Sequence, residues 1–153
     1  MINVVLIHPE IPPNTGNIGR LCCAVHAPLH LVKPLGFRLD DRSLKRAGLD
    51  YWKKLELIVW EDIESYLSSV DPARLVLTGS KRGIPYHAVP YEPHDHLLFG
   101  PETSGLPADL FARFPRRIAR IPIYHDRVRS LNLSTSVGII VYEALRVTGQ
   151  LPH

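Results

Sequence analysis

Three stretches of the chain bring short polar side chains and glycines together at spacings suited to holding a small ligand. The run from Ile118 to Leu145, IARIPIYHDRVRSLNLSTSVGIIVYEAL, passes from an apolar segment through a charged loop into a helix. Ser130 and Asn132 stand where helix N-caps belong, and Ser134 and Thr135 add hydroxyls to the same spot. A helix entered this way turns free backbone N–H groups toward the preceding loop, which can grip a polar ligand. The same residues would equally serve a strand, a turn and a well-capped packing helix. The second stretch, Gly100 to Gly105, has the GxxxxG spacing of a phosphate loop, but Leu106 and Pro107 occupy the places of its lysine and hydroxyl residue. A nucleoside triphosphatase is therefore disfavoured. In the third, HPEIPPNTGNIGR, Gly16 and Gly19 give GxxG rather than GxGxxG, so the dinucleotide fingerprint is missing; no GxSxG elbow of a hydrolase exists either.

Alternating strands and helices must position these loops. Asn3 to Ile7 is a β-branched apolar run too short for a helix and reads as a buried first strand. Prolines 9, 12 and 13 argue against regular structure after it, and a helical face begins at Ile18, with Asn14, Thr15 or Asn17 as its cap. Further strands are expected at Leu29 to Lys33, Leu55 to Trp60, Leu75 to Thr78, His96 to Phe99 and Ile118 to Ile123. Helices are expected at Asp40 to Ala47, Ile63 to Val70, Ala108 to Arg113 and after Asn132, where Leu133, Val137, Ile140, Val141, Ala144 and Leu145 share one face. Ile84 to Asp95, with three prolines, is expected to be irregular with one short extended piece. The pattern predicts an α/β fold: a mainly parallel six-stranded sheet with helices on both faces and ligands beyond the carboxyl ends of its strands.

The chain of 153 residues, with 45% hydrophobic and 22% charged residues, is expected to form one domain, residues 1–153, with no internal repeat or linker. No apolar run is long enough to span a membrane, and Met1 leads straight into a strand rather than a signal peptide, so a cytoplasmic protein is expected. Cys22 and Cys23 are neighbours on a helix and cannot form an unstrained disulfide. The histidines at 8, 26, 30, 87, 94, 96, 125 and 153 are scattered, and no metal site is expected. Basic residues cluster at Arg42, Lys45 and Arg46, at Lys53 and Lys54, at Lys81 and Arg82, from Arg113 to Arg120, and at Arg127 and Arg129. Such patches suit a polyanion such as nucleic acid, or simply a solvated surface.

The segments PPNTGNIGR (Pro12 to Arg20), LLFGPETSGLP (Leu97 to Pro107) and RIPI followed by RSLNLSTSVGIIVYEAL resemble, in that order, the three motifs of the SPOUT superfamily of S-adenosyl-L-methionine-dependent RNA methyltransferases. With RAGLDYW (Arg46 to Trp52), the chain is most similar to the TrmL group, tRNA 2′-O-methyltransferases acting on the wobble nucleotide, position 34, a cytidine or modified uridine. The resemblance implies a C-terminal trefoil knot, which periodicity cannot reveal and which runs against the rule that chains do not knot. It implies a cofactor held around Thr78, Gly100, Glu102, Gly105, Ile121, Ser130, Leu131 and Leu133, with Arg20 and Asn14 at the acceptor. Glu102 would bind a ribose hydroxyl or cap the short helix at Ala108. Asn14 would orient the ribose or serve as a loop or cap residue. Arg20, always protonated, would stabilise a developing alkoxide or clamp a phosphate rather than act as a base. A homodimer is implied, with Gly138 and Tyr142 in a close helix contact or in the chain's own packing. The implied substrate is the tRNA anticodon stem-loop; alternatives are ribosomal RNA 2′-O-methylation and a noncatalytic RNA-binding knot protein.

Overall fold

Short aliphatic runs, each too brief for a helix, lie side by side in one sheet of seven strands: β1 (Asn3–Ile7), β2 (Leu29–Val32), β3 (Leu57–Trp60), β4 (Leu75–Thr78), β5 (Ile84–Pro85), β6 (His96–Phe99) and β7 (Ile118–Arg120). The structure, a computed structural model, describes residues 1–152, the side chains of Gly48 and Leu49 excepted. His153, named with the scattered histidines, lies outside the described residues. The strand order is β3-β2-β1-β6-β4-β7-β5. Every pairing is parallel, with Val5 beside His30 on one side and Leu98 on the other. The sheet has one strand more than expected, because Ile84 and Pro85 pair with Ala119 and Arg120 at its edge. A proline can stand there since an edge strand has one side without ladder bonds.

Successive residues of a strand point to opposite faces, so β1 feeds two cores. Val4 and Leu6 pack with Ile18, Phe99, Val137 and Val141 on the face of α1 (Pro12–Ala24) and α5 (Leu133–Val147). Val5 and Ile7 pack with Tyr66, Leu98, Leu110 and Phe111 on the face of α3 (Ile63–Leu67) and α4 (Ala108–Arg113). Helix α2 (Arg42–Gly48) and the 3-10 turn Leu49–Lys54 lie against α1.

Helix α1 starts six residues earlier than the apolar pattern suggests, at Pro12 rather than Ile18. Pro12 and Pro13 fill its first two positions, where the missing N–H groups would be unpaired in any case. Asn14, Thr15 and Asn17 therefore lie inside the helix and none caps it; the N-cap position is Ile11, which makes no side-chain cap bond. Strand β3 begins at Leu57 instead of Leu55, and α3 ends at Leu67 instead of Val70. Strand β7 stops at Arg120, leaving Ile121 to Ile123 extended but outside the ladder. Both cysteines are free, and burial pushes the Cys22 thiol up to about 12. Tyr142 stands 48% exposed rather than in the core.

At the amino ends of β4, β6 and β7, Asp95 is fully buried and takes two hydrogen bonds from the Arg117 guanidinium, at 2.5 and 2.8 Å. Arg117 also donates to the carbonyls of Ala73 and Pro90, so one ion pair ties together the entries to three strands.

Candidate functional site

Because all strands run parallel, their carboxyl ends open on the same edge, and the loops after β1, β4, β6 and β7 meet there. They enclose a cleft of about 1100 Å³. Its floor and walls are aliphatic at Ile121, Leu131, Leu133 and Ile140, and polar along residues 78–82, 100–105 and 129–132.

The loop after β6 folds tightly on itself. A Cβ at Gly100 would sit 2.1 Å from the Leu106 backbone nitrogen, so no other residue fits there, and Gly105 turns the chain back with φ +68°. The Gly105 N–H donates to the Pro101 carbonyl at 2.9 Å and closes the turn. Thr78, at the end of β4, donates its hydroxyl to the Leu98 carbonyl at 2.8 Å and so faces the same loop.

Asn132 caps α5: its Oδ1 accepts from the Ser134 N–H at 2.9 Å and the Thr135 N–H at 3.4 Å. Its Nδ2 donates to Asn14 Oδ1 at 3.0 Å. Asn14 in turn donates from Nδ2 to Glu102 Oε1, at a longer 3.5 Å. The start of α1 and two loops, far apart in the chain, are thereby joined in one hydrogen-bonded line across the cleft.

Glu102 does not cap the helix at Ala108, whose N-cap position, Pro107, makes no side-chain bond. Its carboxylate instead accepts from the backbone N–H groups of Glu10 at 2.8 Å and Ile11 at 3.0 Å, just ahead of α1. The contact is returned: the Glu10 carboxylate accepts the Thr103 N–H at 3.0 Å and its hydroxyl at 2.7 Å, and these bonds lower the Glu10 pKa. Two loops therefore clasp each other through exchanged glutamates.

Of the residues singled out in the sequence, Asn14, Thr78, Gly100, Glu102, Gly105, Ile121, Ser130, Leu131 and Leu133 all line the cleft. Arg20 does not. It is exposed further along α1, its guanidinium 5.3 Å from the centre of the Tyr51 ring. Beside it, Gly19 makes room for Trp52; a Cβ there would come within 2.8 Å of the indole. Sequence reasoning missed Glu10 and Thr103, which lie 93 residues apart and carry no shared local pattern. It also read Lys81, Arg82 and Arg129 only as charge clusters, whereas they line the cleft, with Arg82 4.9 Å from the Phe111 ring centre.

The sequence pattern of the SpoU rRNA Methylase family matches residues 1–142. A tRNA (cytidine(34)-2′-O)-methyltransferase of Yersinia pestis is 49% identical, over 97% of this chain and 95% of its own. A solved structure described as giving structural insights into the 2-OH methylation of C/U34 on tRNA superposes with a TM-score of 0.87 at 42% identity, covering 96% of this chain and 95% of that one. An AdoMet-bound rRNA methyltransferase from Sinorhizobium meliloti superposes with a TM-score of 0.84 at 28% identity, over 95% of this chain and 56% of that one. With its three motifs closed around one cleft and this match over nearly the whole sequence, the chain belongs to the SpoU methylase family.

Proposed function

We propose that this chain is an S-adenosyl-L-methionine-dependent tRNA ribose 2′-O-methyltransferase acting on the wobble nucleotide, position 34, of the anticodon loop. The observation that carries the reading is the line Asn132, Asn14, Glu102, which draws the three motifs to one cleft, in a chain 49% identical to an enzyme named for that reaction.

The residues present fit the cofactor. A cleft of about 1100 Å³ is ample for a nucleoside-sized ligand with room for an acceptor, since such sites commonly span ~300–1000 Å³. Ile121, Leu131 and Leu133 offer aliphatic surface for a flat base, and the tightly turned 100–106 loop brings backbone groups close without side-chain bulk. When bound, the cofactor supplies a methyl group on a sulfonium. The protein's task is then to align the ribose hydroxyl with that methyl and exclude water. Asn14, held from both sides by Asn132 and Glu102, is suited to orient the ribose. Arg20, outside the cleft and over the Tyr51 ring, is suited to clamp the adjoining phosphate rather than to act as a base.

The chain is read as one SPOUT methyltransferase domain, with the C-terminal passage threaded as a trefoil knot. Support for the knot comes from the sheet order, which sets β4 between β6 and β7, and from α5 returning to pack against α1 and β6. A homodimer is proposed as well. A Cβ at Gly138 would meet only Leu21, at 4.0 Å, so packing within the chain gives no reason for glycine, while Tyr142 on the same helix is half exposed. No described helix is long and apolar enough to cross a membrane, which suits a cytoplasmic enzyme meeting tRNA.

Incubating the protein with labelled cofactor and tRNA lacking the modification, then mapping the label by mass spectrometry, tests the reading. Ribosomal RNA is the rival substrate because a relative of that activity shares the fold at 28% identity; preferential labelling of ribosomal RNA would select it. RNA retention without cofactor binding would select a noncatalytic knot protein.

A further inference from the structure

The basic residues are not spread evenly. Lys33, Arg38, Arg74, Arg113, Arg117 and Arg146 each pair with a carboxylate. Of the cations that form no salt bridge among the described residues, Lys81, Arg82 and Arg129 line the cleft, Arg116, Arg120 and Arg127 lie close to β7 in the chain, and Arg20, Arg42, Lys45, Arg46, Lys53 and Lys54 make up the rest, all exposed. These last six lie on α2, the 3-10 turn and α1, three elements packed against one another, with Arg20 over Tyr51 of the turn. The acids beside that surface do little to neutralise it. Asp40 pairs with Arg38, and the Asp41 carboxylate accepts the Ser43 and Leu44 N–H groups at the start of α2. Asp50 alone stands within the 3-10 turn. Cations left unpaired at close quarters repel one another, and a polyanion relieves that repulsion.

The same surface carries an aromatic ring. Tyr51 is 41% exposed and lies under the Arg20 guanidinium, while its neighbour Trp52 is seated on Gly19 and fixes the turn to α1. Helix α1 thus runs from the cleft, where Ile11 and Asn14 line the wall, to this surface at Arg20. From Asn14 to Arg20 is about 9 Å along the helix at ~1.5 Å per residue.

We infer that the α2 and 3-10 surface is the dock for the phosphate backbone flanking the target nucleotide, with the Tyr51 ring as the positioning residue that holds Arg20 beside it. The inference rests on the RNA methyltransferase reading. Phosphates would be met by Arg42, Lys45, Arg46, Lys53 and Lys54, each a sequence-independent contact. Specificity for one nucleotide would come from the cleft at the other end of α1.

The test is fluorescence anisotropy of a labelled, unmodified anticodon stem-loop across a range of salt, with the intact protein and with Lys45→Ala, Lys53→Ala and Lys54→Ala combined. Each phosphate contact to single-stranded RNA contributes about 0.7 to the slope of log affinity against log salt. The combined variant is expected to bind more weakly and to lose about 2 from that slope, while its calorimetric affinity for S-adenosyl-L-methionine is unchanged. An unchanged slope overturns the dock. For Tyr51, a kcat loss of about two- to fivefold is expected in Tyr51→Leu, with KM little altered and activity restored in Tyr51→Phe, as a cation–π contact of ~0.5–1 kcal/mol requires. Equal loss in both variants overturns the positioning role. A wild-type protein that neither binds nor labels RNA defeats the methyltransferase reading and the dock together; a wild type that labels tRNA beside unaffected variants defeats the dock alone.

Discussion

At the scale of single residues, Arg20 and Asn14 divide the work differently from what their shared motif suggests. Asn14 is 7% exposed, lines the cleft and is bonded on both sides, whereas Arg20 stands outside with Tyr51 beneath it. On the proposed reading, a guanidinium so placed does not shape the cofactor's site, and its contribution would be electrostatic, toward charge on the RNA. Arg20→Ala is therefore expected to lower methyl transfer by about ten- to a hundredfold, as the loss of a charge-assisted contact of ~1.5–3 kcal/mol to the RNA requires. Calorimetric affinity for S-adenosyl-L-methionine should stay as it was; a parallel loss of cofactor affinity would place Arg20 in the wrong role.

At the scale of elements, two devices hold the loops in place, one at each end of the strands. At the carboxyl ends, Glu102 gathers the N–H groups that precede α1, and Glu10 gathers those of Thr103. Removing one carboxylate leaves those donors unpaired. Glu102→Ala should speed hydrogen exchange at the Glu10 and Ile11 amides and weaken cofactor binding severalfold; unchanged protection would mean that the clasp does not hold the loop. At the amino ends, Arg117→Leu takes from the fully buried Asp95 carboxylate its two close charged donors, leaving the Glu92 N–H and the Arg74 guanidinium 3.9 Å away. A loss of about 3–5 kcal/mol in chemical denaturation is expected, as for a broken buried pair. Much of this layer was readable beforehand. Strands Leu75–Thr78 and His96–Phe99 fall on the residues expected, because each is a short, largely apolar run closed by a glycine, and helix Ala108–Arg113 does so because Pro107 and Pro115 bound it. The start of α1 was not readable, because Pro12 and Pro13 break a helix everywhere except at the first turn, which they occupy. The two-residue β5 offers no period to detect. The residues expected around the cofactor all line the cleft, but Lys81, Arg82 and Arg129 read only as charge, and the Glu10 and Glu102 exchange was not legible, since only folding brings its halves together.

At the scale of the whole molecule, stability should carry a mark of the buried imidazoles. His30 accepts from the Trp60 indole N–H at 3.0 Å and lies 3.1 Å from Asn3 Oδ1, while His96 lies 2.9 Å from the Tyr66 hydroxyl. Burial pulls His30 and His96 down to about 4, with the neighbouring imidazole adding to the effect at His30. An unfolded histidine takes up its proton near pH ~6.5, so below that pH the unfolded chain binds more protons than the folded one. Stability should be full at neutral pH and fall from about pH 6.5 to about pH 4. The decline should thus begin above the usual carboxylate range. A thermal midpoint flat down to about pH 5 would show that these imidazoles are not excluded from water as described.

In the proposed reaction, one cleft serves both a methyl donor and a tRNA ribose. The most direct test is to incubate the protein with methyl-labelled S-adenosyl-L-methionine and tRNA lacking the wobble modification, then map the product by mass spectrometry. The expected result is a single methyl group on the 2′-oxygen of nucleotide 34. Label on a base, at another nucleotide, or absent from tRNA at saturating enzyme would contradict it.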